Sequence, residues 1–234
     1  MTQVILVCAN VPRAGKGTSG KFLESYLTDM GKEVYVAEFK DKLFEVSADI
    51  LGISVEEFLE GYDQTSEDYR NQFTKQQLLE KYDVMTVVHS GYIDWWKDVK
   101  MYKVGDKTYS KRTWLQHVSE KVIKPHTSSR FFGEATLKDI PYGVGFVVVT
   151  DSGFASEAVP LIEAYGRDNV TVVQLIRDVE SSVKDTRKML EPSDFEDTLR
   201  PSFITIHNKE VDNWQELLEN NLQVLADNLL SKEP

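Results

Sequence analysis

The apolar run Val4-Ile5-Leu6-Val7-Cys8-Ala9 leads through a short turn into Gly15-Lys16-Gly17-Thr18, which opens a helix expected over roughly 15–30. This order of strand, turn and helix constrains the chain more than any other feature. Backbone N–H groups of such a turn point inward, and the helix N-terminus adds the positive end of its dipole, so the local chain is shaped to hold an anion. Phe22, Leu23, Tyr26 and Leu27 share one side of the helix, which gives it an apolar face to lay on a sheet. In a cradle of this kind Lys16 reaches the β- and γ-phosphates of a nucleotide, and the Thr18 hydroxyl is a ligand to Mg²⁺. ATP and Mg²⁺ are therefore the expected cofactors. The expected phosphate-binding residues are Asn10, Val11, Arg13, Ala14, Gly15, Lys16, Gly17 and Thr18.

The general phosphate-loop (P-loop) pattern is glycine, four residues, Gly-Lys, then Ser or Thr. Asn10 stands at the first glycine, and Gly17 comes between Lys16 and Thr18. Asparagine is the non-glycine residue that best tolerates positive φ, so the turn survives the first change. The alternative, a glycine-rich connection with an exposed lysine, does not need strand, turn and helix in this order.

With 234 residues and 41% apolar content, the chain can bury the core of one α/β domain over 1–234, with an inserted lobe. No apolar run approaches the ~20 residues of a membrane span, and no charged-then-apolar leader precedes the first strand. Neither a membrane partner nor export is expected, and a cytoplasmic location is. Cys8, the single cysteine, reads as a small core residue in a reducing compartment. The four histidines have no metal-ligand spacing. The net charge of −11 and the lack of a basic stripe argue against a nucleic-acid partner, although a few converging cations still allow a small phosphorylated ligand. A homodimer is left open.

Apolar runs at Val4–Ala9, Val34–Ala37, Phe146–Thr150, Val170–Ile176 and Phe203–Ile206 read as strands, with helices over about 40–51, 154–165 and 213–230. The expected fold is a three-layer, doubly wound parallel sheet of the P-loop NTPase or kinase type. The block 54–143 reads as an inserted, mostly helical lobe closing over a second substrate. It contains a capped helix at Ser54–Glu60, aromatic stretches near Tyr92–Trp96 and Met101–Tyr109 joined through a Val104-Gly105-Asp106-Lys107 turn, and a helix over 112–123 stopped by Pro125.

Taken together these residues resemble the deoxynucleoside monophosphate kinases of large tailed bacteriophages, within the P-loop kinase superfamily. Asn10-Val11-Pro12-Arg13-Ala14-Gly15-Lys16-Gly17-Thr18 is similar to that family's loop, including the arginine two before the Gly-Lys pair. Phe39-Lys40-Asp41-Lys42-Leu43, Arg112-Thr113-Trp114-Leu115-Gln116, Thr150-Asp151-Ser152-Gly153-Phe154 and Ile204-Thr205-Ile206-His207-Asn208 follow its later motifs in order. Gly153, in place of an arginine, and Ser119-Glu120, in place of Gly-Thr, fall where the acceptor would be held, and leave its identity open.

The resemblance implies transfer of the γ-phosphoryl group from ATP to a deoxynucleoside monophosphate. The alternatives are another acceptor, such as a modified base in DNA, or a nucleotide-binding protein without turnover. Phosphoryl transfer needs in-line positioning and positive charge more than covalent chemistry. Lys16 is the donor-phosphate cation. Arg13 is either a second one or an exposed turn residue. Asp151, closing the most apolar strand, either holds Mg²⁺ or its water, or caps the helix that follows. Arg112 and Arg130, placed in the lobe, are acceptor-phosphate cations or solvated surface. Trp114, Phe131 and Phe132 either stack on a base or pack as core. By family analogy Asp41 orients the acceptor, against the reading of an ordinary first-turn aspartate. The segment 177–201 is expected to be a lid carrying Arg177 and Arg187 to the transferring group, against the alternative of a charged surface helix.

Overall fold

The computed structural model describes residues 2–11, 14–60, 91–96, 99–104, 107–177, 189–208 and 211–231, with the side chains of 91–104 and 108 left undescribed. Arg13, Arg187 and the turn residues 105 and 106 lie outside the described residues.

Among these residues the chain forms two compact units, 1–40 with 129–234, and 41–128. The first is built on β1 (Gln3–Ala9), β2 (Val34–Ala37), β6 (Phe146–Val149), β7 (Val170–Ile176) and β8 (Ser202–His207), numbered in chain order with the three strands of the second unit between. They form one sheet in the order β2-β6-β1-β7-β8, parallel at every pairing. Val4, Ile5 and Leu6 lie opposite Val147, Val148 and Val149 on one side and Val170, Thr171 and Val172 on the other. β-Branched residues buried on both faces are what an interior parallel strand requires.

Alternate residues of the strands face opposite layers. Ile5, Val7, Phe146, Val148, Val173 and Leu175 pack with Leu23 and Leu27 of α1 (Lys16–Asp29) and with Leu218, Leu222, Leu225 and Leu229 of α7 (Trp214–Leu230). The Tyr26 hydroxyl donates to Asp227 at 2.7 Å and ties α1 to α7. The intervening residues Val4, Leu6, Val147, Val149 and Val172 present the other face, which is crossed by α6 (Ala155–Tyr165); α6 in turn packs on α5 (Phe131–Asp139). Helices on both faces of a parallel sheet make the α/β, three-layer, doubly wound architecture.

The expected strands are all present, each within a residue or so at either end. The segment expected as a lid, 177–201, is described only in part. Residues 178–188 lie outside the described residues, but 189–201 belongs to the sheet body, with Leu190 and Phe195 buried. Gln174 donates to the Leu190 carbonyl at 2.7 Å, and the Phe195 ring meets Phe203 edge-on. Two apolar anchors hold the stretch on the sheet face.

The second unit holds most of α2 (Phe39–Leu51), then α3 (Val55–Leu59), an antiparallel sheet β3 (Gly91–Trp96), β4 (Val99–Val104) and β5 (Lys107–Ser110), and α4 (Lys111–His117). Among its described residues helix still outweighs strand, but the aromatic stretches pair as strands, with Val104 opposite Lys107. The expected helix over 112–123 also continues past Pro125. After α4 the chain widens into a π-helix over Val118–Ile123 and runs on through Lys124–His126. Proline has no N–H to donate, and the widened turn just before it accommodates the missing bond.

The expected lobe 54–143 and the unit 41–128 overlap without coinciding. α2 contributes Phe44, Ala48 and Leu51 to the core of the second unit, whereas α5 packs on α6 in the first. Trp114 is core. It is 2% exposed, stacks near Tyr109 and His117, and donates its indole N–H to the Ser47 carbonyl at 3.1 Å. Phe132 is likewise buried. Neither presents a face to a base.

Candidate nucleotide-binding site

The chain leaves β1 toward β2 on one side, crossing β6, and leaves β6 toward β7 on the other, crossing β1. Adjacent strands whose connections diverge open a crevice beyond their carboxyl ends, which is where ligands of open α/β sheets sit. Asn10 and Val11, Ala14 and Gly15, and residues 150–152 follow the carboxyl ends of β1 and β6 at that crevice.

Gly15 is the N-cap of α1, with φ 102° and ψ 13°. This left-handed geometry is open to glycine and strained for residues with a Cβ. A Cβ there would also stand 2.9 Å from Leu218 Cδ2 and 3.1 Å from Asn208 Nδ2. Lys16 and Thr18 sit half-buried in the first turn of α1, and Gly17 is exposed with open space around its α-carbon. As N-cap, Gly15 brings no side-chain cap to the helix, whose first N–H groups have no intrahelical acceptor.

Two asparagines brace the turn. Asn208, just past β8 and 3% exposed, donates from Nδ2 to the Ala14 carbonyl at 2.9 Å. Its own N–H donates to the Ile176 carbonyl at 2.8 Å, so it is anchored to β7. The sequence reading gave Asn208 no role. The signal was a lone amide residue closing an apolar strand, which in sequence has no visible partner. Asn10 does more than tolerate a turn. Its carboxamide accepts from the Arg177 N–H at 3.0 Å and donates to the Arg177 carbonyl at 3.1 Å.

Asp151 lies at the carboxyl end of β6 and is 4% exposed. Its Oδ1 accepts from the Phe39 N–H at 2.7 Å and its Oδ2 from the Lys40 N–H at 3.0 Å. The carboxylate therefore caps the helix that begins at Phe39. The helix after Asp151 starts instead from Phe154, with no side-chain cap. Beside it the Thr150 hydroxyl donates to Glu38 at 2.8 Å, and Lys40 pairs with Glu38 at 3.0 Å.

A magnesium ion keeps several waters and takes few protein ligands. Thr18 brings a hydroxyl to the first turn of α1 and Asp151 a carboxylate to the carboxyl end of β6, both oxygen donors of the kind Mg²⁺ takes. These residues fit an ion held mainly by water and phosphate, and they do not make a multi-carboxylate cage. Among the described residues no group of three or more His, Cys, Asp or Glu side chains could hold a metal.

The other expected cations are dispersed. Arg130 is not in the second unit. It stands at the N-cap of α5, pairs with Glu163 and lies 3.5 Å from Glu134. Glu163 is near the end of α6, which delivers the chain to the amino end of β7, so Arg130 lies toward the sheet end opposite the phosphate turn. The Glu163 carboxylate raises the Arg130 pKa and fixes its charge there. Asp41 is exposed in the first turn of α2, and Arg112 is half-buried in α4; both belong to the second unit. Arg177 follows β7 directly, beside the start of the turn at Asn10.

Cys8 is fully buried, and burial first of all pushes its thiol up to about 11. The nearby Lys16 charge acts weakly in the opposite sense.

The strand order and the glycine-led turn together make this a P-loop NTPase type of fold. No protein-family model matches the chain, and no curated protein matches it. Solved structures similar to it include pnob8 ParA, at 13% identity and TM-score 0.41, aligned over 100% of this chain and 73% of that one. A cobyrinic acid a,c-diamide synthase from Mycobacterium smegmatis with bound ADP and magnesium aligns at 14% identity and TM-score 0.43, over 98% and 94% of the two chains. A putative plasmid partition protein from Borrelia burgdorferi bound to AMPPNP aligns at 14% identity and TM-score 0.35, over 97% and 99%. These likenesses are too distant to bear on activity, and the fold class rests on the sheet and the turn.

Proposed function

We propose that the chain binds ATP with Mg²⁺ at residues 10–18 and transfers the γ-phosphoryl group to a small phosphorylated acceptor, the deoxynucleoside monophosphate implied by the sequence resemblance. The observation that supports this reading is the left-handed Gly15 that opens α1 at Lys16, just past the carboxyl end of β1, where the connections of β1 and β6 diverge. Lys16 neutralises the donor phosphates, and Thr18 holds the ion that accompanies them. Asp151 would stand near that ion while its carboxylate holds the amides of Phe39 and Lys40. When bound, Mg²⁺ would supply further neutralisation of the phosphate charge, with Thr18 as the residue that would hold it.

ADP release in the presence of ATP and Mg²⁺ rises when the correct deoxynucleoside monophosphate is added, and Lys16→Ala abolishes the rise with the fold retained. A full acceptor panel without stimulation would remove the acceptor from the account. A second reading, nucleotide binding without transfer, is favoured by the engagement of both Asp151 oxygens in capping. Tight ATP binding with no transfer to any acceptor would establish it.

A further inference from the structure

We infer that Asn10 is a positioning residue that clips the chain leaving β7 to the phosphate turn, so that the turn and Arg177 hold one fixed relation. The inference rests on the proposed phosphate site only for what the turn holds. Its physical basis is a pair of hydrogen bonds that a glycine at the same position cannot make.

The β1–β7 ladder continues one rung beyond the strands, through the Asn10 N–H to the Leu175 carbonyl at 3.2 Å. There β1 turns away, and the backbone of Arg177 would lose its neighbour on that side. The Asn10 carboxamide takes the place of a missing strand residue. Its oxygen accepts from the Arg177 N–H and its nitrogen donates to the Arg177 carbonyl, at 3.0 and 3.1 Å. On the far side of β7, Ile176 accepts from the Asn208 N–H, and Asn208 in turn holds Ala14. The exit of β7 is thus tied to both ends of the turn, to Asn10 at its start and to Ala14 before Gly15.

This gives a physical reason for asparagine at the first of the two positions where the general loop pattern asks for glycine. Glycine would supply conformational freedom, whereas asparagine supplies an attachment. A cation one residue beyond β7 is useful to a triphosphate only if the chain leaves the sheet in one direction, and the clip sets that direction.

The two roles separate in Asn10→Gly, which restores the general pattern but removes the clip. Amide hydrogen exchange of the ligand-free protein reads the clip directly. The Arg177 amide of Asn10→Gly should exchange roughly tenfold faster than in wild type, with the β1 and β6 amides unchanged. Asn10→Ala, which has neither the acceptor nor the donor, should lose the protection to the same extent. In parallel, ATP affinity of Asn10→Gly should fall roughly tenfold. Unchanged Arg177 protection in Asn10→Gly would overturn the inference. So would lost protection with wild-type ATP affinity, because the clip would then position nothing. If wild type binds no ATP while Asn10→Gly still loses protection, the phosphate-site reading fails and the clip stands.

Discussion

At the residue scale, several side chains are tied to backbone groups more than to one another, and their worth is testable singly. Asp151 satisfies two helix-start amides, so Asp151→Ala leaves donors without an acceptor in a site that is 4% exposed. An orphaned buried group costs about 1–3 kcal/mol. Urea unfolding should show a loss of at least that size; an Asp151 that served only a metal ion would leave stability unchanged. Cys8 makes a pH prediction. The unfolded thiol releases its proton near the ordinary value of 9.0, while the folded one holds it until about 11. Only the unfolded state therefore sheds the proton in that interval, and stability falls as pH rises through it. The fall should be shallower in Cys8→Ala. In the native protein Cys8 should also resist alkylation at pH 8 and react once the chain is unfolded, since burial shields the thiol. Asp151 also shows where residue-level reading stops. Its position at the end of an apolar strand was legible, but the amides it caps are those of Phe39 and Lys40, a contact across 112 positions that no local pattern encodes.

At the element scale, the glycines distinguish close packing from open space. A Cβ on Gly133 would run into the backbone carbonyl of Glu157, where α5 crosses α6, and a carbonyl in a helix has nowhere to move. Gly133→Ala should cost about 1–3 kcal/mol or more, as overpacked contacts do. Gly17 is the control. Nothing lies within 4 Å of a Cβ there, so Gly17→Ala should leave thermal stability level or slightly raised, since alanine suits a helix better. Thermal melts of the two variants side by side check this contrast. Strands and long helices were legible because their patterns are local: β-branched runs for the sheet, and leucines at helical spacing for α7. The helix through Pro125 was misread because proline is a strong stop signal, and only the π-helical widening before it shows how the chain continues. The packing of the stretch 189–201 was hidden for the opposite reason. Leu190 and Phe195 are isolated apolar residues among charges, and what anchors them is a sheet face that the sequence does not display.

At the scale of the whole molecule, the doubly wound sheet followed from alternation of strands and helices, and its switch point places the 10–18 turn and Asp151 at one crevice. The division into units was less legible. The second unit takes α2 from one side of the long insertion and leaves α5 to the sheet body, because Phe44, Ala48 and Leu51 share a core with Trp114 and Val118. The dispersal of the expected acceptor cations has the same origin. Arginines are placed by the element that carries them, and Arg130 rides on α5 to Glu163 at the far end of the sheet. The central claim is that the Gly15–Lys16 turn grips a triphosphate. Calorimetric titration of ATP with Mg²⁺ into wild type and Lys16→Ala, with thermal melts of both, tests it most directly. Saturable binding by wild type, with at least tenfold weaker binding by an equally stable Lys16→Ala, is the predicted result. Wild-type protein that takes up no ATP, or a Lys16→Ala variant that binds it equally well, would contradict the account.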